Sequence, residues 1–152
     1  LGNRSTLSDP RPAEMKDRLN ARVKFREGFR PFAPSVLAHE SENYFEDCRF
    51  SPFMLRVHPT RPERLHEARA VTHVDGGARV QTVAPTDNPR YYGLIDAFRR
   101  ETGTPLVLNT SFNIRGEPIV NSPSDAVKCF LTTGMDFLLL GDTLLVKDER
   151  IL

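Results

Sequence analysis

The segment from Asn88 to Asn109 constrains the fold of this 152-residue chain more than any other. Asn88-Pro89 predicts the start of a helix, because the fixed φ of proline suits the first helical position, and Gly103 predicts its end. Residues 105–109 follow as a short apolar run that is typical of a buried strand. Further helices and strands alternate along the chain, so we expect an α/β (α+β) single domain with one mixed, twisted β-sheet flanked by helices.

Turn signals and apolar periodicity predict the other elements. A Ser-Pro-Ser-Asp sequence at 122–125 is typical of a helix start. Helices are predicted at about 12–23, 41–46 and 122–134, strands at about 35–38, 53–58, 78–84 and on both sides of Gly141-Asp142, and a surface loop at 59–70. The helix after Asn88 is predicted to turn four side chains to the core, namely Tyr91, Leu94, Ile95 and Phe98.

The composition excludes several classes of protein. Hydrophobic residues make up 39% and charged residues 27% of the chain, which is unlike a disordered tail. No apolar run approaches the roughly 18 residues that span a bilayer, so we expect no membrane span. The formal net charge of +1 makes nucleic acid an unfavoured partner. Of the 21 basic residues, 17 are arginine, which indicates either an anion site or the codon usage of a GC-rich genome.

The start of the chain and its cysteines indicate a cytoplasmic piece of a longer protein. The chain begins at Leu1 without an initiator Met or a signal segment. Cys48 and Cys129 show neither metal-ligand spacing nor a disulfide framework, which favours reduced thiols in the cytoplasm. No metal site is predicted.

Residues 22–32 carry the first candidate site. Lys24, Arg26 and Arg30 recur at even spacing with apolar side chains between them. In an extended segment this spacing places the cations on one side and the aromatic rings in the core. Such an array suits a phosphate or carboxylate ligand. The alternative is a solvated surface on which Glu27 is the local partner of these cations.

Residues 109–121 carry the second candidate site, between a buried strand and a capped helix. Ser111, Asn113 and Arg115 alternate with apolar residues, so their polar side chains can converge on a ligand. Gly116 permits close approach of a ligand to the backbone. Loops at the carboxyl ends of strands are where open α/β folds place ligands, and long ordered loops are often functional.

Two further residues are weaker candidates. Arg79 is predicted on a strand, on the same face as Gln81 and Val83, where an arginine needs an anion or water; the alternative is an ordinary charge on an edge strand. His73 has an ordinary pKa near neutrality and suits acid–base chemistry, although a histidine beside a turn is more often structural or exposed.

Three long runs of the chain resemble one family. They are LGNRSTLSDPRPAEMKDRLNARVKFREGFRPFAPSVL at 1–37, AVTHVDGGARVQTV at 70–83, and LVLNTSFNIRGEPIVNSPSDAVKCFLTTGMDFLLLGD at 106–142. Together they resemble the C-terminal domain of the carbamoyltransferases related to nodulation protein NodU and the antibiotic O-carbamoyltransferases. The resemblance implies a YrdC-like fold at 11–152, with 1–10 as the remnant of a junction to an absent N-terminal domain of the sugar-kinase-like (ASKHA) class.

The resemblance also implies a reaction. The YrdC-like domain takes carbamoyl phosphate and ATP, accompanied by Mg²⁺, and makes carbamoyl adenylate. The absent N-terminal domain, which carries a metal on His and Asp ligands, then transfers the carbamoyl group to an acceptor hydroxyl. A non-catalytic nucleotide- or RNA-binding module of the same fold is the alternative.

Two motifs of YrdC-like domains have counterparts here. Lys24 and Arg26 match a Lys/Arg motif, and residues 109–113, followed by Gly116 and Pro118, match a Ser-Thr-Ser-Ala-Asn motif, from which Asn109 and Phe112 depart. The residues assigned to catalysis are Lys24, Arg26 and Arg79. Those assigned to substrate and nucleotide binding are Arg30, Asn109, Ser111, Asn113 and Arg115.

Overall fold

A four-stranded mixed sheet forms the centre of the computed structural model, which describes residues 2–147. Its strands are β1 (Ser5–Ser8), β2 (Ala33–Leu37), β5 (Gln81–Val83) and β6 (Leu106–Ser111), in the order β1-β6-β2-β5. β6 runs antiparallel to both β1 and β2, whereas β2 and β5 are parallel. The predicted class, a mixed sheet flanked by helices in an α/β arrangement, is confirmed.

Helices cover both faces of this sheet. Helix α3 (Pro89–Thr102) packs on one face, where Tyr91 and Ile95 are buried against Val83 and Val107. On the other face lie α1 (Met15–Leu19) and the π-helix that continues it (Asn20–Lys24), whose Leu19 and Val23 join a larger core cluster. The predicted helix at 12–23 is therefore confirmed in outline.

A smaller layer lies beside the sheet. Helix α4 (Pro123–Thr132) packs against the hairpin of β7 (Phe137–Leu140) and β8 (Thr143–Val146), and Phe112 at the end of β6 joins their core. Ser122 and Asp125 form the predicted cap: Ser122 Oγ accepts from the Asp125 amide, and the Asp125 carboxylate accepts from the Ser122 amide. The hairpin and both capped helices are as predicted.

The segment between β2 and β5 differs from the prediction. The strand predicted at 53–58 is wrong, because Phe53 and Leu55 are exposed and only β3 (Val57–Pro59) pairs, with β4 (Gly77–Arg79). The loop predicted at 59–70 contains two 3₁₀ helices, Pro62–Glu67 and Arg69–Val71, and it buries small apolar side chains. Helix α2 (Ser41–Tyr44) lies where one helical turn was predicted.

Two predicted faces are also corrected. The strand predicted at 78–84 is divided at Val80 into β4 and β5, which belong to different sheets, so Arg79 is exposed while Gln81 and Val83 are buried. Leu94 of α3 is 41% exposed rather than in the core.

The ends of the chain and the cysteines complete the description. β1 was not predicted, and it lies within the segment 1–10 that the resemblance implies is a junction. The domain boundary at residue 10 stays a prediction. Residues 148–152 lie outside the described residues. Cys48 and Cys129 are free and buried. Within residues 2–147 no helix combines the length and the apolar character needed to cross a membrane.

A glycine holds the hairpin layer against the π-helix. The Gly134 amide donates to the Arg22 carbonyl at 2.7 Å, and a Cβ on Gly134 would lie 2.8 Å from both the Cβ and the Nε of Arg22. We expect Gly134→Ala to destabilise the fold by about 1–3 kcal/mol, the usual effect of overpacking. Gly93→Ala is the control, because a Cβ there meets nothing within 4 Å and alanine is the better helix former. Equal melting temperatures for the two variants would contradict this prediction.

Candidate anion site

Lys24 is the last residue of the π-helix, and an unusual backbone turn follows it. Phe25 has φ 50° and ψ 47°, which is the left-handed region. A bulky side chain in this region stores strain on the order of 1 kcal/mol, and both such strain and π-helices concentrate at functional sites. The segment 22–32 is therefore not extended as predicted. The rings of Phe25 and Phe29 are exposed, and only Val23 and Phe32 among its apolar residues lie in the core.

The Lys24 ammonium lies at the end of β6 and binds only neutral oxygen atoms. It donates to the Asn113 carbonyl at 3.0 Å and to Asn113 Oδ1 at 2.9 Å, and it also contacts the Ser111 carbonyl and Oγ. The residue is 4% exposed. Burial, together with the positive charge of Arg26, lowers the pKa of Lys24 to about 8. This buried cation has no carboxylate partner in the described part of the chain.

Residues 109–121, which we call the polar loop, are held in a defined shape. Ser111 Oγ donates to Asn113 Oδ1 at 2.6 Å, and Asn113 Nδ2 donates to the Glu117 carbonyl at 2.8 Å. The Val120 amide donates to the Phe112 carbonyl, which closes the base of the loop. Gly116 has φ 79° at the tip, a conformation that favours glycine. Ser111 and Asn113 therefore converge on Lys24, whereas Arg115 pairs with Glu27; their convergence on a ligand stays a prediction.

Arg26 is fixed on the side of the site nearest the core. Its Nε donates to Asn20 Oδ1 at 2.9 Å, and its guanidinium lies 4.7 Å from the centroid of the Phe32 ring. Burial, together with the charge of Arg30, lowers the pKa of Arg26. A guanidinium that is stacked and hydrogen-bonded on one edge loses little further freedom when it binds an anion.

Arg30 and Arg115 approach each other through Glu27. Arg30 Nε lies 3.3 Å from Glu27 Oε2, and Arg115 Nη2 lies 3.3 Å from Glu27 Oε1. We call Arg26, Arg30 and Arg115 the arginine cluster. Glu27 is thus a partner of these cations, as expected if residues 22–32 form a solvated surface. Its contact with Arg115 also brings the two candidate segments, 22–32 and 109–121, together.

Asn109 lies in a separate, buried polar network beneath α3. Its Nδ2 is 2.9 Å from both Ser35 Oγ and Tyr91 Oη, and 3.1 Å from Gln81 Oε1. The residue is 1% exposed. Asn109 therefore connects β6, β2, β5 and α3, and it shares no contact with Lys24.

Arg79 also lies apart from the arginine cluster. It is exposed on β4, and within residues 2–147 no hydrogen bond or ion pair joins it to the cluster. Arg79 is close enough to His73 for its charge to affect that ring. Burial lowers the pKa of His73, and the positive charges of Arg79 and Lys16 lower it further, while the negative charge of Asp75 acts in the opposite direction.

Two residues of the site were not predicted from the sequence. Asn20 holds Arg26, and Arg4 Nη1 donates to the Val120 carbonyl at 3.1 Å, which supports the far end of the polar loop. Asn20 could have been recognised from the sequence. Asparagine is a poor helix former, and an asparagine on the apolar side of a helix needs a hydrogen-bond partner. Arg4 carries no local signal.

The arrangement is suited to binding a multiply charged anion. Arg30 and Arg115 pair with the Glu27 carboxylate, and Arg26 lies close enough for its charge to lower the pKa of Glu27. The buried Lys24 ammonium binds Asn113, two residues before Arg115. Planar guanidinium groups bind phosphate oxygens in pairs of parallel hydrogen bonds. Within the described residues no group of three or more His, Cys, Asp or Glu side chains is placed to hold a metal ion.

Comparison with known proteins identifies the family. The family described as Carbamoyltransferase C-terminus matches residues 1–147. Nodulation protein NolNO of Sinorhizobium fredii is 55% identical over 97% of this chain and 22% of its own length. The 3'-hydroxymethylcephem-O-carbamoyltransferase of Amycolatopsis lactamdurans is 40% identical over 94% of this chain and 27% of its own length. Nodulation protein U of Rhizobium tropici is 40% identical over 85% of this chain and 22% of its own length. The chain therefore spans about a quarter of these relatives, and it belongs to the C-terminal family of the carbamoyltransferases.

Proposed function

We propose that this chain is the adenylate-forming part of an O-carbamoyltransferase. Carbamoyl phosphate releases its phosphate to water, and an oxygen of the resulting carbamate attacks the α-phosphorus of ATP, so that pyrophosphate leaves and carbamoyl adenylate forms. One water is consumed, and one inorganic phosphate and one pyrophosphate are released. The observation that carries this proposal is that the polar loop meets the basic segment 22–32 at two points: Asn113 binds the buried Lys24 ammonium, and Arg115 shares the Glu27 carboxylate with Arg30. The family that contains this chain includes named carbamoyltransferases.

The arginine cluster would bind the phosphates of both substrates. Phosphoryl transfer needs positive charge around the transferred group more than it needs a covalent nucleophile, because positioning and electrostatic stabilisation supply most of the rate. Arg26 is the most rigid of the three and suits the α-phosphate, where charge develops. Arg30 and Arg115 are more exposed and suit the outer phosphates, where Mg²⁺ would accompany ATP.

The polar loop would orient the carbamate. Ser111 Oγ and Asn113 Nδ2 are hydrogen-bond donors on one side of the Lys24 ammonium, and both can turn to the carbamate oxygens. Lys24 holds this loop and adds a positive charge behind it. Asn109 acts through β6 as a positioning residue. Arg79 is exposed on β4, and since no hydrogen bond or ion pair within residues 2–147 joins it to the arginine cluster, we leave it out of the phosphate site.

Transfer to the acceptor would take place elsewhere in a longer protein. The relatives are about four times as long as this chain, which supports a further domain that receives the carbamoyl adenylate and binds the acceptor hydroxyl with its own metal. We place the reaction in the cytoplasm, which supplies ATP and keeps two buried, free thiols reduced.

A pyrophosphate-release assay tests this function, with ATP, Mg²⁺ and carbamoyl phosphate. We expect release that requires both substrates, and about a tenfold lower kcat/KM in Arg115→Gln, because one charge-assisted contact to phosphate is lost. Arg49→Gln is the matched control, since Arg49 is an exposed arginine that pairs with Glu42 outside the site. Nucleotide binding without any release would contradict adenylate formation and favour a nucleotide-binding module. Affinity for RNA that falls steeply with salt would favour an RNA-binding module.

A further inference from the structure

Glu27 occupies the centre of the arginine cluster. Each of its carboxylate oxygens lies 3.3 Å from one guanidinium nitrogen, Oε1 from Arg115 and Oε2 from Arg30. The two arginines come from different segments of the chain, so the carboxylate fills a space between them that has the size of a small oxyanion. Its own backbone amide and then Arg115, Arg30 and Arg26 lower the pKa of Glu27, so the group is a carboxylate at neutral pH.

These two ion pairs are loose compared with others in the chain. A charge-assisted N–H···O contact is usually about 2.7–2.9 Å long, and the pairs Arg99–Asp96 at 2.8 Å and Arg64–Glu67 at 2.9 Å reach that range. The side chains of Arg30 and Arg115 are 54% and 65% exposed. Exposed pairs of this kind contribute little to stability, so the Glu27 carboxylate can be replaced by a ligand at small expense.

Glu27 lies between a residue of unusual backbone conformation and a glycine with space around it. Phe25 lies two residues before it in the left-handed region, and Gly28 follows it with only an Asp17 carboxylate oxygen near its missing Cβ, at 3.7 Å. Arg26 in contrast is held by Asn20 and by the Phe32 ring. One arginine of the cluster is therefore held by a hydrogen bond and a ring, whereas the carboxylate between the other two is held by ion pairs to exposed arginines.

We propose that Glu27 is a specificity-determining residue: its carboxylate stands where a phosphate group of the ligand binds between Arg30 and Arg115, and the ligand must displace it. This inference rests on the proposed function and goes beyond it. A singly charged anion that displaces Glu27 exchanges one negative charge for another and gains little. A phosphate with two or more charges, which also reaches Arg26, gains additional contacts. Glu27 thereby selects multiply charged phosphates over carboxylates and other monoanions.

Isothermal titration calorimetry with inorganic pyrophosphate tests this, and acetate serves as the monoanionic competitor. We expect Glu27→Gln to bind pyrophosphate about fivefold more tightly than the unaltered chain, the effect of removing two exposed ion pairs that compete with the ligand. Acetate should compete measurably only in Glu27→Gln. Glu27→Asp, whose shorter side chain cannot reach both arginines, should lie between the two. Glu42→Gln removes a carboxylate that pairs with Arg49 outside the cluster, and it should bind pyrophosphate as the unaltered chain does.

The outcomes separate this inference from the proposed function. The role of Glu27 is overturned if Glu27→Gln binds pyrophosphate within twofold of the unaltered chain, or more weakly than it. In that case, weaker binding by Arg115→Gln would still support an anion site. Tighter binding by Glu27→Gln without pyrophosphate release in the substrate assay supports the role of Glu27 and contradicts adenylate formation. No pyrophosphate binding by either protein overturns both.

Discussion

Replacing Lys24 with alanine is expected to lower pyrophosphate release from ATP and carbamoyl phosphate by at least about 100-fold, because a displacement of about 1 Å in the groups that position a substrate can lower the rate that much. The ammonium binds the backbone and side chains of Ser111 and Asn113, so its loss removes a charge and also frees the polar loop. The assay compares the unaltered chain with Lys24→Ala, and with Lys24→Met, which keeps the buried stem.

Lys128→Ala is the matched control for this experiment. Lys128 is an exposed lysine on α4, so its replacement should leave the rate unchanged. The melting temperatures of all three variants establish that the fold survives. Release by Lys24→Met within threefold of the unaltered chain would show that the Lys24 charge plays no part in the reaction.

The pH profile gives a second signature of the same ammonium. Burial and Arg26 lower the pKa of Lys24 to about 8, so the charged form is present below pH 8 and is lost above it. We expect kcat/KM to fall as pH rises through this value, and the fall to be absent in Lys24→Met. The effect of Lys24 on the stability of the fold has the opposite dependence on pH. Between about pH 8, the folded pKa of Lys24, and about 10.4, the unfolded pKa, the folded chain binds fewer protons than the unfolded chain. The contribution of Lys24 to the free energy of unfolding therefore rises with pH in this range.

Replacing Glu67 with alanine is expected to lower the free energy of unfolding by about 2–4 kcal/mol, because buried donors lose a charged acceptor. Glu67 accepts from Tyr44 Oη at 2.6 Å, Thr104 Oγ1 at 2.8 Å and Arg64 Nη1 at 2.9 Å. These bonds attach the 3₁₀ helix Pro62–Glu67 to α2 and to the residues that precede β6. Urea unfolding measures the difference.

The exposed neighbour Glu63 provides the control. Glu63→Ala lies in the same 3₁₀ helix and should change the free energy of unfolding by less than about 0.5 kcal/mol. Glu67→Gln keeps the shape of the side chain and should lose less than Glu67→Ala. A loss below about 0.5 kcal/mol in Glu67→Ala, equal to the Glu63→Ala control, would show that the hydrogen bonds of Glu67 contribute nothing net.

Glu67 also makes the fold sensitive to acid. Burial acts to raise the pKa of Glu67, but the hydrogen bonds from Tyr44, Thr104 and Arg64 outweigh it, so the pKa lies below its ordinary value. The stability from this carboxylate is therefore complete above its unfolded pKa and is lost as pH falls through the lower folded pKa. The acid-induced loss of stability should be smaller in Glu67→Ala.

Local chemistry explains why several elements could be predicted. The start of α3 at Asn88-Pro89, its end at Gly103 and the Ser122–Asp125 cap of α4 each depend on contacts within four residues. The β7–β8 hairpin likewise depends on the turn at Gly141-Asp142. In these places the residues that decide the conformation are neighbours in sequence.

Other elements depend on distant partners. Residues 53–58 alternate like a strand, yet Phe53 and Leu55 are exposed because only Val57–Pro59 finds a partner strand, in β4. Ser5–Ser8 has no strong strand pattern, yet it pairs with β6, about a hundred residues later. The even spacing of Lys24 and Arg26 suggested an extended segment, whereas the π-helix turns Lys24 inward and leaves Arg26 on Phe32.

The class of fold and the family could be predicted from the sequence alone, and so could two segments as candidates for the polar chemistry. These follow from local periodicity, from capping residues and from three long motifs. The folded structure was needed to show that Lys24 binds the polar loop, that Asn109 belongs to a buried network and that Arg79 lies apart. It also decided that Glu27 stands between Arg30 and Arg115. The physical reason is that a charge acts on whatever lies within a few ångströms, and chain folding brings together residues 27 and 115, which no local pattern relates.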